Sequence, residues 1–410
     1  MSKIYCIKIL FTAITIIFTG CSYNEISPIS ENTPSNSISE NAPPESYLPT
    51  ISPIPYNNES EDLDIIDALL DSMTLEEKIG QLFIAAFRKD DRGRSLRTLN
   101  ESTKHQIEKY KLGGVTLFKE NIHSISQTTN LINEIQSISQ IPMFISVDEE
   151  GGRVSRIGNN AAMGTTKIPS AKEIGLVDDV EHVYNIGRIL GSELSNLGFN
   201  MNFAPVADVN TNPKNPVIGD RSFGSDPEKV GLVVQKITAG MQDQNVSAVL
   251  KHFPGHGDTS HDSHKRSVVI EHDIDRLREI ELVPFKKGIS AGADAIMTAH
   301  IIIPKLENSM IPATLSKNIL TDLLRDELNF NGLIITDALE MKAISDYWCS
   351  AQASVMAFNA GADIILMPDS LGEAFNGIHD AVLKGDITEE RLNESVRRIL
   401  QVKLKRNILK

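Results

Sequence analysis

The sequence has few cysteines, no excess of basic residues and no long apolar run, and each lack narrows the class of protein. Its 410 residues include three cysteines, at positions 6, 21 and 349. The net charge of −14 argues against a surface that binds nucleic acid. The most apolar stretch, "ILFTAITIIFTGC", is shorter than the roughly 20 apolar residues that a membrane-spanning helix needs. A hydrophobic content of 41% is ordinary for a soluble globular protein.

The first twenty residues have the pattern of a secretory signal peptide. Lys3 and Lys8 precede or interrupt the apolar stretch, which ends at small residues before Cys21. The junction resembles a bacterial lipobox, although Phe18 stands where that pattern usually has Leu. We therefore predict a signal peptide over 1–20, a lipidated Cys21 and a location outside the cytoplasm, anchored to the cell membrane. The alternative is a signal without lipidation, in which Cys21 is incidental.

The following residues, 21–61, are rich in Ser, Asn, Pro and Glu and lack sustained apolar periodicity. This composition predicts a disordered tether between the membrane and a folded domain over 62–410. Cys6 would leave with the signal peptide and Cys21 would carry lipid. Cys349 then has no partner, so we expect no intramolecular disulfide.

Eight short apolar runs alternate with helical patterns in the predicted domain. Thr74 and Glu77, just before the first run, have the spacing of a helix capping box. Strands that alternate with helices predict a parallel sheet covered by helices. Eight such units fit a closed (β/α)8 barrel of the TIM type better than an open sheet, as one catalytic domain. The runs are 82–87, 114–118, 142–147, 201–206, 247–251, 295–299, 333–336 and 363–367.

Polar residues whose side chains could take part in catalysis or binding follow these runs closely. In a (β/α)8 barrel the active site is built from the loops after the carboxyl ends of the strands, so we expect these side chains to converge. Asp208 is interpreted as a structural residue of its strand end. His300 fits either a residue that lines the pocket floor or a hydrogen-bonded core histidine, and we favour the pocket. The full set is Asp148, Glu149, Glu150, Asp208, Lys251, His252, His300 and Asp337.

The stretch "KHFPGHGDTSHDSH", residues 251–264, contains four histidines. Its Pro and Gly residues predict a flexible loop, which is a poor frame for a zinc site, and its glycines do not match a phosphate-binding loop. Asp262 and His264 are two apart, so in an extended segment their side chains point the same way. The carboxylate can then orient the imidazole as a general acid and base. In the competing interpretation Asp262 only caps a turn.

Asp337 follows a buried run and begins a helical pattern in "IITDALEM". Taken alone, a helix N-cap is the commoner role for Asp at such a place. A carboxylate at the mouth of a barrel can also be the nucleophile that attacks an anomeric carbon. Asp148, Arg153, Arg156 and Arg221 likewise fit either the binding of sugar hydroxyls or structural ion pairs.

Taken together, the motifs resemble glycoside hydrolase family 3, within it the single-barrel β-N-acetylhexosaminidases. The matching segments are "GQLFI", "GGVTLF", "VDEEGGRVSRI", "NFAPVADVN", "IGDRSFGSDP", "KHFPGHGDTSHDSH" and "IITDALEM". The resemblance implies that Asp337 is the nucleophile and that His264, held by Asp262, is the acid/base. It implies no metal or organic cofactor. The residues that it implies for binding the N-acetylglucosamine ring are Asp148, Arg156, Arg221, Lys251 and His252.

The resemblance implies a retaining exo-β-N-acetylglucosaminidase that removes terminal N-acetylglucosamine from peptidoglycan fragments or related glycans. Expected partners are that glycan and, through the lipid, the membrane; nucleic acid is not expected, and the chain is expected to be a monomer. Three alternatives stay open: a β-N-acetylglucosaminide phosphorylase, a β-glucosidase or β-xylosidase, and a lipoprotein that binds glycans without turnover.

Overall fold

The computed structural model describes residues 59–259 and 268–409. The predictions for the signal peptide, most of the tether, Cys21, Asp262 and His264 lie outside the described residues. Within the described ranges, none of the helices combines the length and the apolar character required to traverse a membrane.

Eight parallel strands form the centre of the described domain, one at each predicted apolar run; the fifth strand extends two residues beyond its run. They follow chain order around the sheet from β1 to β7, and β8 pairs with β1. The ring closes between β7 and β8, where Ile364 N–H donates to Ile334 O at 3.1 Å. The predicted (β/α)8 barrel is therefore confirmed. The strands are β1 Phe83–Ala86, β2 Gly114–Leu117, β3 Phe144–Val147, β4 Met201–Asn202, β5 Ser247–Phe253, β6 Ala295–Thr298, β7 Leu333–Ile335 and β8 Ile365–Leu366.

Helices surround this sheet. Two of them precede β1, a major helix follows each of the eight strands, and one more ends the described domain. The predicted capping box at Thr74 and Glu77 is present at the start of the second helix. The helices are α1 Glu59–Ser72, α2 Leu75–Gln81, α3 Glu101–Tyr110, α4 Ile125–Ser137, α5 Val180–Leu197, α6 Pro227–Gln242, α7 Leu282–Ser290, α8 Asn318–Glu327 (π-helical), α9 Ser350–Ala360, α10 Leu371–Lys384 and α11 Glu389–Lys405. Shorter helical turns are Ala161–Met163, Ala171–Ile174, Gly219–Arg221, Ile274–Arg276, Leu277–Glu281, Ala313–Leu315 and Lys342–Ser345.

Packing between α5 and α6 shows how the sequence builds the outer layer. Buried residues of α5 recur every three or four positions, so one face of the helix is apolar. Gly187 and Gly240 lie where the two helices meet. A Cβ at Gly240 would lie 2.3 Å from Tyr184 O, so only glycine allows this approach.

The amino-terminal end of the barrel is closed by α11. Arg391 and Arg398 of this helix surround the buried carboxylate of Asp363, just before β8. Lys403 is fully buried, and its Nζ donates to Gln81 Oε1 at 2.6 Å. Burial lowers the pKa of Lys403 to about 7. At this end of the barrel the Asp363 charge is therefore compensated by arginines, whereas burial disfavours the charged form of Lys403.

Candidate active site

Lys251 lies at the centre of the polar cluster at the carboxyl end of the barrel. It belongs to β5, and its side chain is almost fully buried. Its Nζ lies 2.7 Å from Asp148 Oδ1 and 2.6 Å from Glu150 Oε1. A buried ammonium is stable only when it is paired and hydrogen-bonded, and here two carboxylates from the end of β3 supply this.

Glu150 joins Lys251 to Arg221. The Arg221 guanidinium donates to both carboxylate oxygens, Nε to Oε2 at 2.9 Å and NH2 to Oε1 at 2.8 Å. Burial alone would raise the pKa of Glu150, but the charges of Arg221 and Lys251 outweigh it and hold this pKa well below its usual value. For Arg221, burial lowers the pKa, but the Glu150 carboxylate raises it by more. Both groups therefore stay charged.

Arg156 reaches the same cluster from a short hairpin after β3. Its NH2 lies 3.5 Å from Asp148 Oδ2, and both side chains remain about one quarter exposed. The hairpin pairs Glu149–Gly151 with Val154–Ser155. Gly151, at its turn, has φ +92° and lies so close to Pro169 O that a Cβ would be 2.5 Å away. Asp148 and Arg156 are the most exposed charged groups of the cluster, since the Arg221 side chain is 12% exposed and those of Glu150 and Lys251 are almost fully buried.

Glu149 points away from the cluster and binds the backbone of residues 156–158. Its buried carboxyl accepts from the backbone N–H groups of Arg156 at 2.7 Å, Ile157 at 2.8 Å and Gly158 at 3.1 Å, and from the Ser155 hydroxyl. Burial raises the pKa of Glu149, and these hydrogen bonds oppose the rise. Its role here is therefore to hold the chain that presents Arg156.

His252, the next residue of β5, is held by Asp208 from the loop after β4. The ring atom Nδ1 lies 2.7 Å from Asp208 Oδ2, and the backbone N–H of His252 donates to Oδ1 at 3.3 Å. The other ring nitrogen, Nε2, lies 3.4 Å from Arg221 NH2. The imidazole thus connects Asp208 to the Lys251 cluster.

Residues 256–259, at the start of the loop after β5, are held by hydrogen bonds from Asn215 and by a close backbone approach. Asn215 Nδ2 donates to His256 O at 2.9 Å, to Gly257 O at 3.0 Å and to Thr259 Oγ1 at 3.2 Å. A Cβ at Gly257 would lie 1.8 Å from Val209 O. Burial lowers the pKa of His256 to about 4, so its ring is neutral at pH 7. Residues 256–259, the last described ones before Asp262 and His264, are therefore fixed by contacts with Asn215 and Val209.

Asp337 lies directly after β7, on the same face of the barrel. Its Oδ1 accepts from the backbone N–H of Ala338 at 2.8 Å. His300 supports this loop from below, because its Nε2 lies 3.0 Å from Ala338 O and its Nδ1 lies 2.8 Å from Thr314 Oγ1. His300 is fully buried, so our interpretation of it as a pocket-lining residue is wrong.

An ion pair borders the site on the side of β1 and β2. Arg88 NH2 lies 2.7 Å from Glu340 Oε1, three residues after Asp337 in the chain. The Arg88 guanidinium lies over the Phe118 ring, 4.1 Å from its centroid, and Arg156 lies 5.9 Å from the same centroid. Both Arg88 and Glu340 are about one third exposed, so solvent reaches this pair at the rim.

The family comparison agrees with this geometry. The model of the glycosyl hydrolase family 3 N-terminal domain matches residues 74–402, which cover all eight barrel strands. The chain belongs to glycosyl hydrolase family 3.

Relatives within family 3 carry several enzymatic descriptions. Beta-hexosaminidase A of Pseudoalteromonas piscicida is 36% identical over 370 residues, or 81% of this chain and 61% of that protein. The solved family 3 β-N-acetylglucosaminidase of Paenibacillus sp. str. FPU-7 has a TM-score of 0.78 and 40% identity, with 82% of this chain and 63% of that chain covered. The β-glucoside phosphorylase BglX bound to 2FGlc has a TM-score of 0.77 and 27% identity, with 86% and 62% covered. This family 3 chain thus spans less than two thirds of each of these relatives.

The family 3 barrel brings together most of the site residues that the sequence indicated. Asp148, Arg156, Arg221, Lys251 and His252 form one connected cluster. Their assignment as sugar ligands, and that of Asp337 as nucleophile, remain predictions. The acid/base prediction for Asp262 and His264 concerns residues outside the described part of the chain.

Sequence reasoning placed Glu150 among the polar residues that follow β3 but gave it no role in the site, and it underestimated Asp208. Alternation along an extended segment places the side chains of Asp148 and Glu150 on one side and Glu149 on the other, and this signal could have identified Glu150. Arg153, which we left between two roles, forms an ion pair with Asp220 at 2.7 Å and donates to Val217 O at 2.6 Å. Its contacts are those of a structural residue.

The hydrogen-bond donors and acceptors of the site suit a polyhydroxylated ligand. Asp148 can accept hydrogen bonds, Arg156 can donate them, and His252 offers a ring nitrogen. Among residues 59–259 and 268–409, no three His, Cys, Asp or Glu side chains are grouped so that they could hold a metal ion.

Proposed function

We propose that this protein is a retaining exo-β-N-acetylglucosaminidase. The observation that carries the proposal is the buried Lys251 cluster, with Asp337 on the same face of a family 3 barrel. The relatives described as β-hexosaminidase and β-N-acetylglucosaminidase support the choice of sugar. Asp148, Arg156, Arg221, Lys251 and His252 would bind the terminal N-acetylglucosamine.

In the first step, Asp337 attacks the anomeric carbon. The bond from this carbon to the leaving oxygen breaks as the bond to the Asp337 carboxylate forms. His264, oriented by Asp262, gives its proton to the leaving oxygen, so the aglycone departs as a neutral alcohol. The product of this step is a covalent glycosyl-enzyme.

In the second step, water releases the sugar. His264 takes a proton from water as the water oxygen bonds to the anomeric carbon, and Asp337 leaves as a carboxylate. Two displacements at one carbon restore its original configuration. The sugar is therefore released as the β-anomer, and both catalytic groups return to their starting protonation states.

We further propose that the substrate is a peptidoglycan fragment or a related glycan outside the cytoplasm, reached by an enzyme that is lipid-anchored through Cys21. The support is the lipobox-like sequence before Cys21 and the tether composition that follows it. In a bacterial host, the wild-type protein should fractionate with membranes and carry a lipid mass at its amino terminus. A mature wild-type protein without a lipid mass on Cys21 would contradict the anchor.

The proposed activity is tested with aryl β-glycosides. We expect rapid hydrolysis of the N-acetylglucosaminide and much slower hydrolysis of the glucoside and xyloside, with release of the β-anomer seen by proton NMR early in the reaction. Faster hydrolysis of the glucoside, or release of the α-anomer, would reject the proposal. Saturable glycan binding with no product would indicate a non-catalytic binding protein.

A phosphorylase is the second candidate, favoured by the similarity to a β-glucoside phosphorylase. A neutral or cationic histidine such as His264 tolerates an anionic acceptor better than a carboxylate acid/base does. Phosphate would then replace water in the second step. Sugar 1-phosphate formed in phosphate buffer, at the expense of free sugar, would favour this candidate over hydrolysis.

A further inference from the structure

We propose that Asp208 is a positioning residue that holds His252 in the tautomer protonated on Nδ1, so that Nε2 presents a lone pair to a sugar hydroxyl. The inference rests on the proposed function, because it assumes that a sugar occupies the site. It assigns a role in this reaction to a residue outside the predicted set of ligands.

Asp208 is buried and surrounded by donors. Its Oδ1 accepts from the backbone N–H groups of His252 at 3.3 Å and of His256 at 2.6 Å. Its Oδ2 lies 2.7 Å from His252 Nδ1. An ionised carboxylate can only accept hydrogen bonds, so Nδ1 must carry the hydrogen that this contact requires.

Arg221 imposes the same tautomer from the other side of the ring. Its NH2 lies 3.4 Å from His252 Nε2. A guanidinium can only donate hydrogen bonds, so Nε2 must be the accepting nitrogen. An acceptor-only group on one side and a donor-only group on the other leave one arrangement of protons in which both contacts are favourable.

The surroundings of Arg221 keep this donor in place. Arg221 donates to the Glu150 carboxylate through Nε and Nη2, and Glu150 is in turn paired with Lys251. The contact between Arg221 and Nε2 is long, at 3.4 Å. A sugar hydroxyl bound at the edge of the cluster can therefore replace Arg221 as the donor to the single Nε2 lone pair. A hydroxyl that donates to Nε2 would meet a preorganised acceptor, which is worth more than one that must first reorient.

The Asp208→Asn variant separates this role from a structural one. The amide oxygen of Asn can keep both backbone N–H bonds, while its NH2 group replaces Oδ2 beside Nδ1. Because NH2 is a donor, the imidazole must accept at Nδ1 and carry its hydrogen on Nε2. Nε2 would then oppose Arg221 and could no longer accept from a sugar hydroxyl.

The direct test is nitrogen NMR of ¹⁵N-histidine-labelled protein, with the His252→Gln variant used to assign the signal. We expect the Nδ1–H form in the wild type and the Nε2–H form in Asp208→Asn. An Nε2–H form in the wild type would overturn the proposal. This measurement needs no turnover, so it stays informative even if the protein does not hydrolyse N-acetylglucosaminides.

The kinetic test is a double-mutant cycle on an aryl β-N-acetylglucosaminide. Asp208→Asn should lower kcat/KM by about 10- to 100-fold in the wild-type background. In the His252→Gln background it should cost less than about 3-fold, because a residue that acts through His252 has nothing left to position. Equal losses in the two backgrounds, with a matching fall in Tm, would show that Asp208 only stabilises the fold.

Discussion

The Lys251 ammonium and the Glu150 carboxylate form a buried ion pair in which Nζ lies 2.6 Å from Oε1. Lys251 comes from β5 and Glu150 from the hairpin after β3, so the pair joins two parts of the barrel mouth that are far apart in the chain. Arg221 binds the same carboxylate. The geometry of the cluster therefore depends on Glu150, a residue that no substrate needs to touch.

Replacing Glu150 with Gln should destabilise the protein and impair the site together. The change leaves Lys251 and Arg221 buried with less negative charge, which costs about 3–5 kcal/mol of unfolding free energy. Urea unfolding at pH 7 measures this loss. The matched control is Glu228→Gln, which removes an exposed ion pair with Lys287 and should cost less than about 1 kcal/mol.

The pH dependence of that loss has a defined sign. The pKa of Glu150 is lowered in the folded state from an ordinary value of 4.5. Its ionised form thus stabilises the fold fully above the unfolded-state pKa, and this stabilisation is lost as the pH falls below it. The stability difference between wild type and Glu150→Gln should narrow in acid. A difference that widens below pH 4.5 would contradict the ion-pair account.

Replacing Asn215 with Asp should loosen the segment that leads to Asp262 and His264. The change removes the Nδ2 donor to three acceptors of the 256–259 segment but keeps the acceptor oxygen and the size of the side chain. We expect kcat to fall by about tenfold, because the proposed proton transfer depends on the position of His264. Steady-state kinetics measure this. Asn318→Asp, which removes one bond to Leu306 O, is the control and should leave kcat unchanged.

Replacing the buried Lys403 with Met should stabilise the protein at neutral and lower pH. The pKa of Lys403 is lowered from 10.5 to about 7, so the folded state disfavours the charged form. Wild-type stability should therefore be lowest below pH 7 and rise between pH 7 and 10.5 as the ammonium deprotonates.

Thermal unfolding across this range tests the Lys403 account. Lys403→Met should have a higher Tm than the wild type at pH 6, and the gain should shrink by about pH 10. Lys384→Met, at an exposed position of α10, serves as the control and should show no such trend. A wild-type stability that falls between pH 7 and 10 in step with Lys403 would refute this account.

Replacing His264 with Ala tests the proposed acid/base through the leaving group. An aryl leaving group of low pKa departs without a proton, whereas an alkyl aglycone needs one. We expect a small loss with activated aryl substrates and a loss of about 10²- to 10⁴-fold with natural glycans. Equal slowing of the two substrate classes would remove His264 from this role.

The barrel could be predicted because each strand is a short apolar run that is buried on both faces. The predicted boundaries were less accurate where the backbone chemistry interrupts pairing. The run 201–206 contains a strand of only Met201–Asn202. Pro205 has no N–H to donate, so a regular ladder cannot continue through it.

The connections within the site were less predictable than its members. Asp148 and Lys251 are 103 positions apart, and nothing local in the sequence specifies that they pair. Asp208 could be placed at a strand end, but its contact with the His252 ring depends on how the loop after β4 packs against β5. Such contacts follow from tertiary structure, which residue types and spacing constrain only weakly.

The most direct test of the proposed mechanism is the reaction of the Asp337→Ala variant with an activated aryl β-N-acetylglucosaminide, with and without added azide. Without azide, hydrolysis should fall by at least about 10³-fold, because the nucleophile is gone. With azide in the vacated space, turnover should recover and give the α-glycosyl azide, since a single displacement inverts the anomeric carbon. Full hydrolytic activity in Asp337→Ala, or a β-glycosyl azide product, would contradict the assignment of Asp337 as the nucleophile.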